Sequence, residues 1–180
     1  MTVYDLHCHS TASDGVLSPR ALVERAASMG VQVLALTDHD ELAGLDEARA
    51  VAEEVGIRLV QGVEISITWA GHTIHVVGLN VDSDDPILGR GLASNRGGRA
   101  ERARRMADEL ARMGIPGALE GAYKFAGNQD LIGRTHFARF LVERGVVKDV
   151  KTVFRKFLVK GKPGYVPHQW ASLEEALVWI

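Results

Sequence analysis

At 180 residues and 46% apolar content, the chain can build one domain with a real core, or one domain carrying a sizeable insertion. No apolar run reaches transmembrane length, the N-terminus lacks a signal-peptide pattern, and one cysteine excludes an intramolecular disulfide, so a cytoplasmic protein is expected. The net charge of −2 hides an asymmetry: residues 1–89 hold 4 Lys or Arg against 14 Asp or Glu, and residues 90–170 hold 17 against 7. Acidic groups suit divalent cations and a basic lobe suits a polyanion, although most basic groups on helices are simply solvated.

In chain order, Val3, Tyr4 and Leu6 predict a buried first strand. Period two then puts His7 and His9 on one side and Cys8 on the other, where it reads as a small buried hydrophobe. Two imidazoles so placed can share a cation, and Asp14 adds a hard oxygen ligand from the following loop. Ser18-Pro19 starts a helix that Gly30 stops. Val31 to Leu36 reads as a second strand ending in Thr37-Asp38-His39-Asp40, and a helix from about Leu45 to Val55 is closed by Gly56. Ile57 to Val60 reads as a third strand, leading through Gly62 to Val63-Glu64-Ile65-Ser66. Trp69 to His72 is a turn, and Thr73 to Val81 is a strand carrying His75.

Strand, helix, strand, helix, strand argues for an α/β domain with parallel strands, whose sites gather at the strands' C-terminal ends. His7, His9, Asp14, His39 and Glu64 all fall at or just past such ends. A carboxylate between Val63 and Ile65 needs a partner, and a metal supplies one. Asp38 reads as a group that orients a ligand histidine. His75, flanked by Ile74, Val76 and Val77, is as readily a satisfied core histidine as a ligand.

The second half reads as helices over roughly 87–94, 98–113, 134–144, 149–158 and 172 onward, with Asn128, Asp149 and Ser172 near starts and Gly114 as a stop. Arg96, Arg99, Arg102, Arg104 and Arg105 crowd one region, and a helix spreads such residues around its circumference, so at most two or three can meet one ligand. Arg134-Thr135-His136 opens another, and a helix N-terminus favours a phosphate. Arg99, Arg134 and His136 are the expected positions for a bound phosphate, with Lys162 a weaker candidate and His168 structural. The phenylalanines, at helical spacing, read as core.

The motifs Asp5-Leu6-His7-Cys8-His9-Ser10 with Asp14-Gly15, Thr37-Asp38-His39-Asp40, Gly62-Val63-Glu64-Ile65-Ser66 and His75-Val76-Val77-Gly78 resemble those of the PHP (polymerase and histidinol phosphatase) superfamily. Arg134-Thr135-His136-Phe137-Ala138-Arg139 and Gly161-Lys162-Pro163-Gly164-Tyr165-Val166 resemble its branch of 3′,5′-nucleoside bisphosphate phosphatases, some of which trim short RNA from the 5′ end. The resemblance implies a distorted (β/α)7 barrel with an α-helical insertion: residues 1–85 as the first half of the barrel, 86–170 as a basic capping insertion and 171–180 as the return to the barrel. It implies two to three divalent ions, Mn²⁺ first and Fe²⁺ or Zn²⁺ next. His7 and His9 would bind one, Glu64 would bridge it to a second held by His75, and Asp14 and His39 would bind a third. Family members carry further Ala-His-Pro and Asp-x-His motifs that are not in these residues, so a piece of a longer protein is expected.

The expected activity is hydrolysis of the 3′-phosphate of a nucleoside 3′,5′-bisphosphate by a metal-bound hydroxide, with no side-chain nucleophile, and trimming of short 5′-phosphorylated RNA. No membrane and no obligate protein partner are implied. The alternatives are a histidinol-phosphate phosphatase, whose cationic substrate suits a basic lobe poorly, and a non-catalytic nucleic-acid-binding fragment.

Overall fold

The computed structural model describes residues 2–180. Two compact units divide the chain: residues 1–96 with 169–180, and residues 97–168.

In the first unit β1 (Tyr4–Cys8), β2 (Val33–Leu36) and β3 (Arg58–Trp69) pair in parallel, and β3 pairs antiparallel with β4 (His72–Leu79), giving the order β1-β2-β3-β4. Helices α1 (Pro19–Ser28) and α2 (Leu45–Val55) make the parallel crossovers. Ser18 caps α1 by accepting from the Ala21 N–H at 3.2 Å, and Pro19 fills the first turn, where no N–H partner is needed. On α2, Leu45, Ala48, Val51 and Ala52 recur at helical spacing and are buried with Val23, Leu34 and Leu36 in one cluster.

The strand β3 is buried on both faces from Gly62 to Ile67. Its odd positions, Val63, Ile65 and Ile67, pack with Leu88 and Leu92 of α3 (Pro86–Arg96) and Ala176 of α8 (Leu173–Trp179). Period two therefore turns Glu64 and Ser66 to the other face, where polar partners wait for them. The β3–β4 hairpin turns through Ala70 and Gly71, both at positive φ (49° and 74°), as the tight two-residue turn between twisted strands demands.

One expectation fails here. The first strand is not buried: Val3, Tyr4 and Leu6 are 47%, 62% and 40% exposed. β1 is an edge of the sheet and pairs with β2 alone among the described residues, so its outer face keeps its water.

The second unit is helical: α4 (Arg99–Arg112), α5 (Ala118–Tyr123), a 3₁₀ turn (Gln129–Leu131), α6 (Arg134–Glu143), α7 (Val150–Val153) and a π-helical turn (Phe154–Leu158). Its core gathers Met106 and Leu110 of α4, Ala122 of α5, Phe137 and Leu141 of α6, Val153 and Leu158. Phe137 is fully buried, and its truncation to Ala would cost about 3–5 kcal/mol. The short α5 has no counterpart in the sequence reading. It contains Gly121, where an added Cβ would lie 2.2 Å from the Phe140 ring, so close helix packing and not helix propensity sets that residue. Among the described residues no helix is long and apolar enough to cross a membrane.

Candidate functional site

The strands of the first unit deliver the ionisable side chains to one place. His7 is the next-to-last residue of β1, His9 follows the strand, His39 lies past β2 in a bridge to Glu64 within β3, and His75 comes from β4 opposite Ser66. Cys8 turns the other way and donates its S–H to the Ala35 carbonyl at 3.1 Å. Burial, with Asp5 and Asp38 nearby, pushes its thiol up to about 12, so it is neither thiolate ligand nor nucleophile at neutral pH.

Glu64 is the hub. Its Oε2 is 2.6 Å from His7 Nε2 and 2.7 Å from His9 Nε2, and its Oε1 is 3.5 Å from His75 Nδ1. Each carboxylate oxygen thus serves a different imidazole group. On the far side of His9, Nδ1 is 3.0 Å from Asp14 Oδ1, and Asp14 Oδ2 is 4.0 Å from His39 Nε2. Three donor groups result, each within 4.8 Å across: His7, His9 and Glu64; His9, Asp14 and His39; His39, Glu64 and His75. All six candidate ligands meet. The grouping differs from the one the resemblance implies, because His9 and His39 each belong to two groups.

The electrostatics ask for positive charge. Burial lowers the His9 pKa, but hydrogen bonds to Asp14 and Glu64 outweigh it and raise the ring to about 9. Burial raises the Glu64 carboxyl, but the His9 hydrogen bond, the His39 charge and the His7 hydrogen bond outweigh it and hold the group at about 2. A proton on His9 thus sits where a cation would bind, between two carboxylates. His39 goes the other way: burial lowers its pKa to about 4, leaving a neutral ring with a free lone pair at neutral pH. Its buried Nδ1 has no hydrogen-bond partner and lies 3.9 Å from Glu64 Oε2. The neutral His39 imidazole with its orphaned ring nitrogen, the ionised carboxylates and a His9 ring whose proton a metal would displace fit divalent cations of the Mn²⁺, Fe²⁺ and Zn²⁺ kind.

Two buried carboxylates flank His39 and hold the ligands in place. Asp38 accepts from Ser10 N (2.7 Å), Ser10 Oγ (2.6 Å) and Ser13 Oγ (2.5 Å), so it anchors the loop carrying Asp14 and hydrogen-bonds no histidine. That loop folds so tightly that a Cβ on Gly15 would lie 2.2 Å from the His9 carbonyl oxygen. Asp40 accepts from Ser66 N and Ser66 Oγ, both at 2.8 Å, and from Asn95 Nδ2 at 3.0 Å, tying β3 to α3. The sequence reading missed Ser10, Ser13, Asp40, Ser66 and Asn95. Their signal was the run of two carboxylates around a strand-end histidine, each of which needed buried donors.

The helical unit holds a second cluster. Arg99, Arg102 and His136 are buried. Burial, then Arg134 and Arg99, push the Arg102 pKa down to about 10, and burial also lowers Arg134, with Arg99 adding to it. Arg99 reaches the start of α6, where its Nη1 would lie 3.6 Å from a Cβ on Gly133. His136 Nδ1 accepts the Gly133 N–H at 3.0 Å, which leaves the ring proton on Nε2 as a donor. Arg102 was not among the expected residues. Its Nε donates to the Val166 carbonyl at 3.1 Å, so it braces the cluster.

A model of the PHP domain matches residues 5–144. The chain is 53% identical over 180 residues to a 3′,5′-nucleoside bisphosphate phosphatase of Chromobacterium violaceum, covering all of this chain and 63% of that protein. It is 49% identical over 177 residues to a 5′-3′ exoribonuclease of Haemophilus influenzae, covering 98% of this chain and 64% of that protein. Among solved structures, an amidohydrolase from C. violaceum with bound sulfate superposes with a TM-score of 0.97 at 54% identity, over 98% of this chain and 62% of that one. A protein from Bifidobacterium adolescentis, described provisionally as a metal-dependent phosphoesterase, superposes with a TM-score of 0.92 at 30% identity, over 99% of this chain and 63% of that one. The chain thus spans a little under two thirds of the length of these relatives.

Proposed function

This chain belongs to the PHP domain family, and on that premise we propose that it serves a metal-dependent phosphoesterase that removes the 3′-phosphate of nucleoside 3′,5′-bisphosphates and trims short 5′-phosphorylated RNA. The observation that carries the reading is the shared carboxylate: Glu64 stands within 2.7 Å of two imidazoles through one oxygen and faces a third through the other. The names of the Chromobacterium and Haemophilus relatives support the substrate class.

His7, His9, Asp14, His39, Glu64 and His75 would hold two to three divalent ions, Mn²⁺ being our first choice. Bound there, such ions polarise phosphoryl oxygens and lower the pKa of a bound water. The chain's own part is positional and electrostatic. Glu64 stays ionised across the working pH range, because its partners hold its pKa at about 2. His39 stays neutral. Cys8 keeps its proton, and the donor cluster offers no activated side-chain nucleophile. Asp38 and Asp40 fix the loops from which the donors project.

Arg99, Arg134 and His136 would grip the phosphate that is not cleaved. Guanidiniums crowded together in burial destabilise one another, and a dianion relieves that cost. The same crowding disfavours a substrate with a cationic amine, such as histidinol phosphate. We place the protein in the cytoplasm, in keeping with its one free thiol. The test is phosphate release from adenosine 3′,5′-bisphosphate with added Mn²⁺, with metal content measured on the same sample. Release of the 3′-phosphate supports the reading, and bound metal with release from 3′-monophosphates alone sinks the bisphosphate preference.

A further inference from the structure

Some cations on this surface have carboxylate partners. Arg20 pairs with Glu54 at 2.9 Å, Arg49 with Asp46 at 3.4 Å, Arg104 with Glu101 at 3.2 Å, and Arg112 with Glu109. One stretch of the helical unit is rich in cations and poor in carboxylates. Between residues 148 and 162, six cations, Lys148, Lys151, Arg155, Lys156, Lys160 and Lys162, stand against one carboxylate, Asp149. All six are exposed, and none makes an ion pair among the described residues. Asp149 is committed elsewhere. It caps α7, accepting from Thr152 N at 2.7 Å and Thr152 Oγ1 at 2.9 Å.

The backbone keeps these charges outward. Val153 and Leu158 are fully buried, and Phe154 and Phe157 pack on the same core. Those four residues fix the inner face of α7 and the π-helical turn. Lys151 and Arg155, four residues apart, stay exposed with Lys156, and Lys148 is exposed just before the cap residue Asp149. The Thr152 hydrogen bonds hold the Asp149 carboxyl below its usual range, and the charges of Lys148 and Arg155 add to that.

We infer that this face binds single-stranded RNA along its phosphate backbone. A row of exposed cations without carboxylate pairs is an electrostatic track for a polyanion. The ligand is identified by what the patch lacks as well. Its aromatic side chains, Phe154 and Phe157, pack on the core, and the exposed apolar groups of the patch are only Val150 and Val159, a poor anchor for a lipid surface. The inference rests on the phosphoesterase reading for the choice of RNA. It adds that substrates longer than a mononucleotide are held by contacts that a bisphosphate does not use.

The test is fluorescence anisotropy with a 5′-phosphorylated oligouridylate of about a dozen nucleotides, in EDTA, as a function of salt. Two variants are compared with the wild type. One replaces Lys148, Lys151, Arg155 and Lys156 with Ser. The other replaces the paired Arg20, Arg49, Arg104 and Arg112 with Ser and so has the same net charge. The patch variant should bind at least about tenfold more weakly, with a salt slope shallower by about 0.7 per lost phosphate contact. The control should bind like the wild type, and turnover of adenosine 3′,5′-bisphosphate should be unchanged in both. Equal binding by the two variants, no binding by the wild type, or stronger binding to anionic phosphatidylserine vesicles would each overturn the inference. Because binding is read without metal, RNA binding without bisphosphate turnover would overturn the phosphoesterase reading and leave the track standing.

Discussion

Asp38 grips Ser10 twice, accepting its backbone N–H at 2.7 Å and its hydroxyl at 2.6 Å. The bond joins the end of β2 to the loop after β1, and a third hydrogen bond, from Ser13 Oγ, closes that loop on Asp14. Burial raises the Asp38 pKa against the pull of these donors. An Asp38→Ala protein would leave the Ser10 N–H buried without its acceptor, a cost of about 1–3 kcal/mol. It would also loosen Asp14, and metal affinity should fall by about 10- to 100-fold, the usual penalty for removing a ligand's support. Urea unfolding and titration with Mn²⁺ measure the two effects separately. A protein that loses stability but keeps full metal affinity would show that Asp38 only braces the fold.

The hub residue makes a sharper prediction. Glu64 belongs to two of the three donor groups, His75 to one. Glu64→Gln should therefore remove more metal per chain than His75→Ala, and elemental analysis after gel filtration reads the difference. Equal losses would argue against a carboxylate shared between ions.

The strand-end pattern in the sequence was enough to gather His7, His9, Asp14 and His39, because period two and the parallel crossover rule act locally and are written in each strand; Glu64 joins them from within β3 and not from its end. His75 needed more, since it reaches Glu64 through the β3–β4 register, which a single sequence leaves open. The burial of β1 was misread for a related reason. Val3, Tyr4 and Leu6 carry a strand's composition, but only the sheet order makes that strand an edge. Asp38 and Asp40 were visible as residues and not as roles, since their partners Ser10, Ser66 and Asn95 are brought to them by tertiary packing.

Proton and metal should compete at His9, and the signs can be followed. Its folded pKa of about 9 lies above the ordinary 6.5, so its contribution to metal-free stability is complete below 6.5 and is lost as pH rises through 9. His39, depressed to about 4, contributes above 6.5 and loses that contribution as pH falls towards 4. Glu64, depressed from 4.5 to about 2, adds a loss only at lower pH still. The site's share of metal-free stability thus peaks near pH 6.5. Saturating Mn²⁺ removes the need for the proton and should flatten the alkaline limb of a Tm-against-pH curve. Identical alkaline slopes with and without Mn²⁺ would place the metal away from His9.

The arginine cluster can be tested by removing one charge from it. Arg134 is held over the Phe154 ring at 5.8 Å, and Arg99 contributes to lowering its pKa. If the cluster grips the uncleaved phosphate, Arg134→Ala should lower kcat/KM for adenosine 3′,5′-bisphosphate by about 10- to 100-fold, the worth of a charge-assisted hydrogen bond. Turnover of a 3′-monophosphate, which has no second phosphate to grip, should change little. Arg134→Lys should recover only part of the loss, because an ammonium cannot offer the planar two-point contact of a guanidinium. Without substrate, the Ala variant should be as stable as the wild type or more so, since it relieves repulsion on Arg102. The two measurements separate the roles: an equal loss on both substrates would mark Arg134 as a general support of the fold, and a loss confined to the bisphosphate would mark it as the residue that selects it.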